Sequence, residues 1–227
     1  MPPSARKDMT GSSKIPGAAR YLPEQRGIDA LRSAAETCQG CSLFEDATQT
    51  VFGHGHSGAP IMLVGEQPGD QEDRAGEPFV GPAGRLLARA LDDAGIDPVL
   101  TYQTNAVKHF KFTRMGGKRR IHQKPNRTEV VACRPWLIAE IEAVQPEVIV
   151  CLGATAAQSL LGAAFRVSAQ RGQELKLPSS IDIRMTPEPI VVATVHPSSV
   201  LRDRSDRHDE VYQSFVHDLR SARSGLA

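Results

Sequence analysis

The sequence is poor in aromatic side chains, which make up 5% of its residues and include one tryptophan. Its core must therefore rest on aliphatic packing, for which a 40% hydrophobic content is ordinary. No apolar run approaches the ~18 residues of a membrane span, and no charged-then-apolar leader opens the chain. A soluble cytoplasmic protein with no membrane partner is expected and, in the absence of any oligomerisation signal, a monomer. Net charge is also nearly absent, with 27 Lys and Arg against 26 Asp and Glu. Global charge thus says nothing about partners.

A local absence says more. From Asn105 to Thr128 there is no carboxylate, while the window holds Lys108, Lys111, Arg114, Lys118, Arg119, Arg120, Lys124 and Arg127, with His109 and His122. Cations gathered in one segment of a near-neutral chain are the footprint of a polyanion site. The stretch "GGKRRIHQKP", residues 116–125, sets His122 on a glycine-hinged loop behind three cations. Positive potential there disfavours imidazolium and keeps the ring as a free base.

Cysteine is scarce: Cys38, Cys41, Cys133 and Cys151. In a reducing compartment, a C-x-x-C pair with two distant partners suggests a metal site before disulfides. Four thiolates suit zinc and iron–sulfur alike.

Residues 1–22, rich in Pro, Ser, Gly and Ala, are expected to form a disordered tail ahead of one domain over 23–227. Helical spacing follows from Ile28 to Cys38. The runs "APIMLVGE", "TYQTNAVKHF", "PEVIVCLG" and "PIVVATVH" are strand patterns, separated by the helical "GPAGRLLARALDDAG", "TEVVACRPWLIAEIEAVQ" and "ATAAQSLLG". Pro135 either kinks the second of these helices or marks its first turn. A last helix is predicted over 209–222. Apolar strands alternating with helices predict a three-layer α/β/α fold around a mostly parallel four-stranded sheet. Ligands of such sheets bind beyond the carboxyl ends of the strands, so the loops after the first, second and fourth strands should meet at one pocket.

Those loops carry candidate chemistry. "GEQPGDQED" lacks the spacing of a dinucleotide loop, and its four acids would repel phosphate. Glu66 and Asp70 suit acid–base work or steadying a cation, whereas Glu72 and Asp73 look like solvated turn residues. Phe79, between glycine and proline residues, can anchor a core or stack on a planar base. The Asn105 amide can read the imide edge of a pyrimidine. A neutral His196, before a Pro-Ser-Ser turn, can donate to a carbonyl oxygen that gains charge as a base departs.

Taken together, "GEQPGDQED", "GEPFVGPAG", "TNAVKHF" and "HPSSVLR", with the cysteine pattern, resemble the iron–sulfur (family 4) uracil-DNA glycosylases over residues 27 to 222. The "GGKRRIHQKP" insert and Gln67, where ordinary members usually have Ala, resemble the UdgX-type proteins that capture uracil-DNA covalently. The resemblance implies a structural 4Fe–4S cluster on Cys38, Cys41, Cys133 and Cys151. It implies that Phe79 stacks on a flipped uracil, that Asn105 bonds its Watson–Crick edge and that His196 stabilises the uracil anion. Gln67 and Asp70 shape the sugar side, and Glu66 takes the proton of His122 or orients its ring while His122 attacks C1′. Phosphates fall to Lys118, Arg119, Arg120, Lys124, Ser198, Ser199 and Arg202. The partner implied is uracil-containing DNA, single- or double-stranded. The alternatives are a conventional glycosylase that turns over with water and a non-enzymatic nucleic-acid-binding protein with a four-cysteine zinc site.

Overall fold

The computed structural model describes residues 16–116 and 119–226. Its first half runs through α1 (Ile28–Ala35), β1 (Ile61–Gly65), α2 (Asp70–Ala75), α3 (Pro82–Asp93), β2 (Thr101–Asn105), β3 (Phe112–Met115) and β4 (Arg119–His122). The second half holds α4 (Arg127–Val144), β5 (Val148–Leu152), α5 (Ala154–Leu161), α6 (Val167–Gln170), β6 (Glu174–Leu175), β7 (Ile190–Thr194), α7 (Pro197–Arg202) and α8 (His208–Ser224). The predicted strands and helices are all present. The basic segment, expected as a loop, is instead the antiparallel hairpin β3–β4.

The main sheet has the order β2-β1-β5-β7-β6. Its first four strands are parallel, as the unbroken apolar runs require, because helices cover both faces. The four-stranded expectation is corrected to five: the two-residue β6 adds antiparallel to β7, too short to leave a pattern in the sequence. Alternation within each strand sorts the two cores. Ile61, Leu63, Val148 and Val150 face Leu87, Leu91, Phe215 and Leu219 of α3 and α8. Met62, Val64, Ile149 and Cys151 face Leu137, Ile141, Ala157 and Leu160 of α4 and α5.

A third apolar cluster lies between α1 and α4, with Trp136, Leu31 and Phe52 around Cys38, Cys41 and Cys133. The amino-terminal segment packs here as well. Ala18–Tyr21 form a 3-10 turn, Ala18 is buried, and Gly17 N–H donates to Gly40 O at 2.9 Å. Order therefore begins before residue 23, while residues 1–15 of the expected tail lie outside the described residues. α4 starts from a capping box in which Asn126 Oδ1 accepts from Glu129 N–H and Glu129 Oε2 accepts from Asn126 N–H. Pro135 lies inside that helix.

Candidate functional site: a pocket at the strand ends

A pocket of about 700 Å³ opens beyond the carboxyl ends of β1, β2, β5 and β7. Its lining includes Glu66, Gln67, Asp70, Phe79, Asn105, His122, Lys124, His196, Ser198 and Arg202. The three expected loops converge there, and the end of β5 joins them through Leu152, Gly153, Ala154 and Thr155. That fourth contribution was not anticipated, because a small-residue strand–helix junction carries no chemical signal of its own.

One side of the pocket depends on a missing side chain. A Cβ on Gly65 would stand 2.3 Å from Asn105 Oδ1 and 2.8 Å from Phe79 Cζ, so glycine is what lets amide and ring meet. Phe79 has φ +58°, a left-handed conformation that costs about 1–2 kcal/mol for a residue with a Cβ. Its carbonyl is pressed into α3, where a Cβ on Gly84 would lie 1.6 Å from Phe79 O. Below, Lys108 Nζ donates to Asn105 O and to Thr104 Oγ1, both at 2.7 Å, and pairs with Glu140. Lys108 is 1% exposed, so it steadies the Asn105 backbone and does not belong to the cationic surface.

His196 has a determined tautomer. Its Nδ1 accepts from Ser198 N–H at 3.1 Å and lies 2.8 Å from Ser198 Oγ. A peptide N–H can only donate, so the proton of the neutral ring sits on Nε2. Burial pushes the pKa of His196 down to about 4, with His122 and Arg202 acting in the same direction. The ring is a neutral donor throughout the physiological range.

Opposite, Gln67 Oε1 accepts from Lys111 N–H at 3.0 Å, which fixes the amide. Its Nε2 therefore donates, to Gln123 O at 2.9 Å and to His122 Nε2 at 2.8 Å. His122 thus carries its proton on Nδ1 and a lone pair on Nε2. Glu66 Oε1 lies 3.7 Å from that nitrogen, and its other oxygen accepts from Thr155 Oγ1. Burial lowers the pKa of His122 first, Glu66 opposes this, and Arg202 adds to it. The depression expected from the cations of the loop itself comes from desolvation and from a residue on α7.

Much of the cationic window is spoken for. Lys111 pairs with Glu129 at 2.9 Å. Arg120, only 6% exposed, pairs with Asp70 and Asp73 and lies over the rings of Phe110 and Phe112. It fastens the hairpin to α2 rather than facing outward. Glu72 and Asp73 are buried, in place of the solvated turn expected: Glu72 accepts from Gly69 N–H and Gly81 N–H, and Asp73 from Thr48 N–H. Arg119 is exposed, Ser199 bonds back to His196 O, and neither lines the pocket. Lys118 lies outside the described residues.

The cysteines divide. Cys38, Cys41 and Cys133 share one buried cluster, and charge on Cys38 and Cys41 bears on Cys133. N–H groups point at two of these sulfurs, Lys108 N–H at Cys133 Sγ (3.3 Å) and Trp136 Nε1–H at Cys38 Sγ (3.2 Å). Cys151 sits mid-sheet in another core, and burial alone shifts its thiol. His109 follows Lys108 in the chain and is 5% exposed; its Nε2 lies 2.9 Å from Thr50 Oγ1, which donates to Ala35 O, the acceptor of Cys38 N–H. Among the described residues, no group of three His, Cys, Asp or Glu side chains is arranged to hold a metal ion. No helix among them is long and apolar enough to cross a membrane.

At the carboxyl ends of the parallel strands the Asn105 amide and the His196 imidazole thus meet the Phe79 ring from the loop before α3 and the His122 imidazole from the hairpin. Residues 52–220 match the uracil DNA glycosylase superfamily, and the chain belongs to it. It is 33% identical to the Type-4 uracil-DNA glycosylase of Thermotoga maritima over 87% of this chain and 93% of that protein. It is 37% identical to the Type-4 uracil-DNA glycosylase of Archaeoglobus fulgidus, over 77% of this chain and 83% of the other.

Proposed function

We propose that the protein is a uracil-DNA glycosylase that cleaves the N-glycosidic bond of deoxyuridine and is then captured on the sugar by His122. Uracil in single- or double-stranded DNA is flipped out, at a cost of a few kcal/mol that is smallest in single strands. Its ring stacks on Phe79 and its imide edge meets Asn105. As the C1′–N1 bond breaks, the electron pair leaves on uracil, and His196 Nε2–H donates to the oxygen that gains charge. C1′ becomes an oxocarbenium-like electrophile. His122 Nε2 supplies the pair for a new nitrogen–carbon bond, and the proton on Nδ1 is then lost to solvent. The Glu66 carboxylate steadies the positive charge that the sugar and then the imidazole acquire.

The observation that carries this reading is the placement of His122 Nε2 at the pocket, unprotonated, between Gln67 and Glu66. The Gln67 hydrogen bond has to be given up before attack. Mixed with a short single-stranded uracil oligonucleotide, the protein should give a heat- and detergent-resistant protein–DNA band on a denaturing gel, and His122→Ala should not. Abasic DNA accumulating over many turnovers without such a band would establish a conventional, turning-over glycosylase instead.

The state of His122 gives a second test. Its pKa lies below the ordinary 6.5 in the folded protein, so the free base persists as pH falls through 6.5 and is lost only lower. An NMR titration should place the His122 midpoint below 6.5, and Glu66→Gln should move it lower still, because Glu66 opposes the shift. A midpoint above 6.5 contradicts this account.

A 4Fe–4S cluster fits the three clustered cysteines, since N–H groups aimed at sulfur suit thiolate ligands and a cluster spreads its thiolates over several irons. The cluster would brace the α1–α4 corner and supply no step of the reaction. We assign its fourth donor to His109 rather than Cys151, because His109 is tied by hydrogen bonds to the Cys38 turn. Cys151→Ala should keep the brown visible absorbance and the iron content, whereas His109→Ala should lower both. The opposite pattern restores Cys151, and a colourless zinc protein removes the cluster.

A further inference from the structure

A second cavity, of about 350 Å³, adjoins the pocket and shares Lys124 and Thr155 with it. Its walls come from the first half of α4, from α5 and from the segment at Ser180 and Ile181. Three cations line it, Lys124, Arg127 and Arg134, and no carboxylate does. This contrasts with Lys108, Lys111 and Arg120, each of which is paired with an acid. Among the described residues, Arg134 has no ion pair, and its Nε is buried with no hydrogen-bond partner. A buried guanidinium nitrogen left without an acceptor is costly, so this wall is built for an anion to complete. Between the cations lies apolar surface from Val130, Leu160 and Ile181, and Val131 is 46% exposed beside it.

We propose that this groove is a binding site for the nucleotide next to the flipped uracil, with its phosphodiester on Arg127 and Arg134 and its base against the apolar wall. The inference rests on the DNA-glycosylase reading. Lys124, common to both cavities, stands where the strand passes from the sugar of the uracil nucleotide to its neighbour. A cationic groove with an apolar floor holds single strands without reading sequence, so the site sets the length of strand recognised and not its bases.

The test compares single-turnover uracil excision on deoxyuridine 3′,5′-bisphosphate, which has no neighbouring nucleotide, and on the same unit extended by three nucleotides at its 5′ or its 3′ end. One extension should tighten apparent binding in the wild-type protein. Arg127→Gln/Arg134→Gln should erase that gain while leaving the rate on the bisphosphate unchanged. The salt slope of binding to the extended strand should fall by roughly 0.7, the amount for one single-strand phosphate that is no longer neutralised. Arg134 adjoins Cys133, so Arg127→Gln alone, at an exposed position, serves as the second variant and should give about half the change. Equal length dependence and equal salt slope in wild-type and both variants overturn the groove while leaving the glycosylase reading intact. A deoxynucleoside monophosphate that stabilises the protein through Arg127, with no effect of strand length, makes this a free-nucleotide site and also overturns it. No excision from any oligonucleotide defeats the glycosylase reading itself.

Discussion

His196→Ala should slow uracil excision by about 10²–10³-fold, the usual effect of removing one preorganised donor aimed at developing charge. The prediction follows from the tautomer. Ser198 N–H fixes Nδ1 as an acceptor, so Nε2–H is the only proton the neutral ring can offer, and burial keeps the ring neutral down to about pH 4. Ser198→Ala removes the hydroxyl but leaves the peptide N–H, so the tautomer survives and the rate should stay within about tenfold of wild-type. Single-turnover release of labelled uracil measures both. Were His196→Ala to stay within tenfold of wild-type, or Ser198→Ala to match its loss, the donor would lie elsewhere. The substrate should still bind the His196→Ala protein, because Phe79 and Asn105 are placed by Gly65, Gly84 and Lys108 without help from α7.

The parallel strands were legible because burial on both faces leaves nothing but apolar residues, as in "IMLV" and "VIVCL". The pocket was legible in outline for a related reason: the polar residues that end such runs have few places to go except the rim of the sheet. The hairpin was hidden because its inward positions are held by Phe112 and the Arg120 guanidinium, and an arginine in a basic run looks exposed. Lys108 and Asp73 misled in the same way. Each is a charged residue whose burial depends on a partner distant in sequence, Glu140 for Lys108 and Thr48 with Arg120 for Asp73, and local composition cannot supply that partner. Cys151 joins the other cysteines through the family resemblance, and the place of its side chain is set by strand alternation, which turns it toward α4 and α5.

Arg120 shows how such a hidden partner bears on the chemistry. Its guanidinium ties β4 to α2 through Asp70 and Asp73 and to Thr48 ahead of β1, and β4 ends at His122. Arg120→Met would leave Asp73, fully buried, with only the Thr48 amide as a partner. Breaking a buried pair from one side costs about 3–5 kcal/mol, so the thermal midpoint should fall by several degrees. Capture should be lost even at temperatures where the variant is folded, because His122 is no longer held against Gln67 and Glu66. Excision should persist, since Phe79, Asn105 and His196 stand on other elements. Adding Asp73→Asn to Arg120→Met removes the stranded charge and should recover much of the stability. It should not recover the adduct, because nothing then fastens the hairpin. Separating the two readouts distinguishes an anchor from a phosphate ligand: a phosphate ligand would weaken DNA binding for excision and capture alike and leave the midpoint unchanged. If Arg120→Met keeps its thermal midpoint and loses both activities in proportion, Arg120 faces the strand after all.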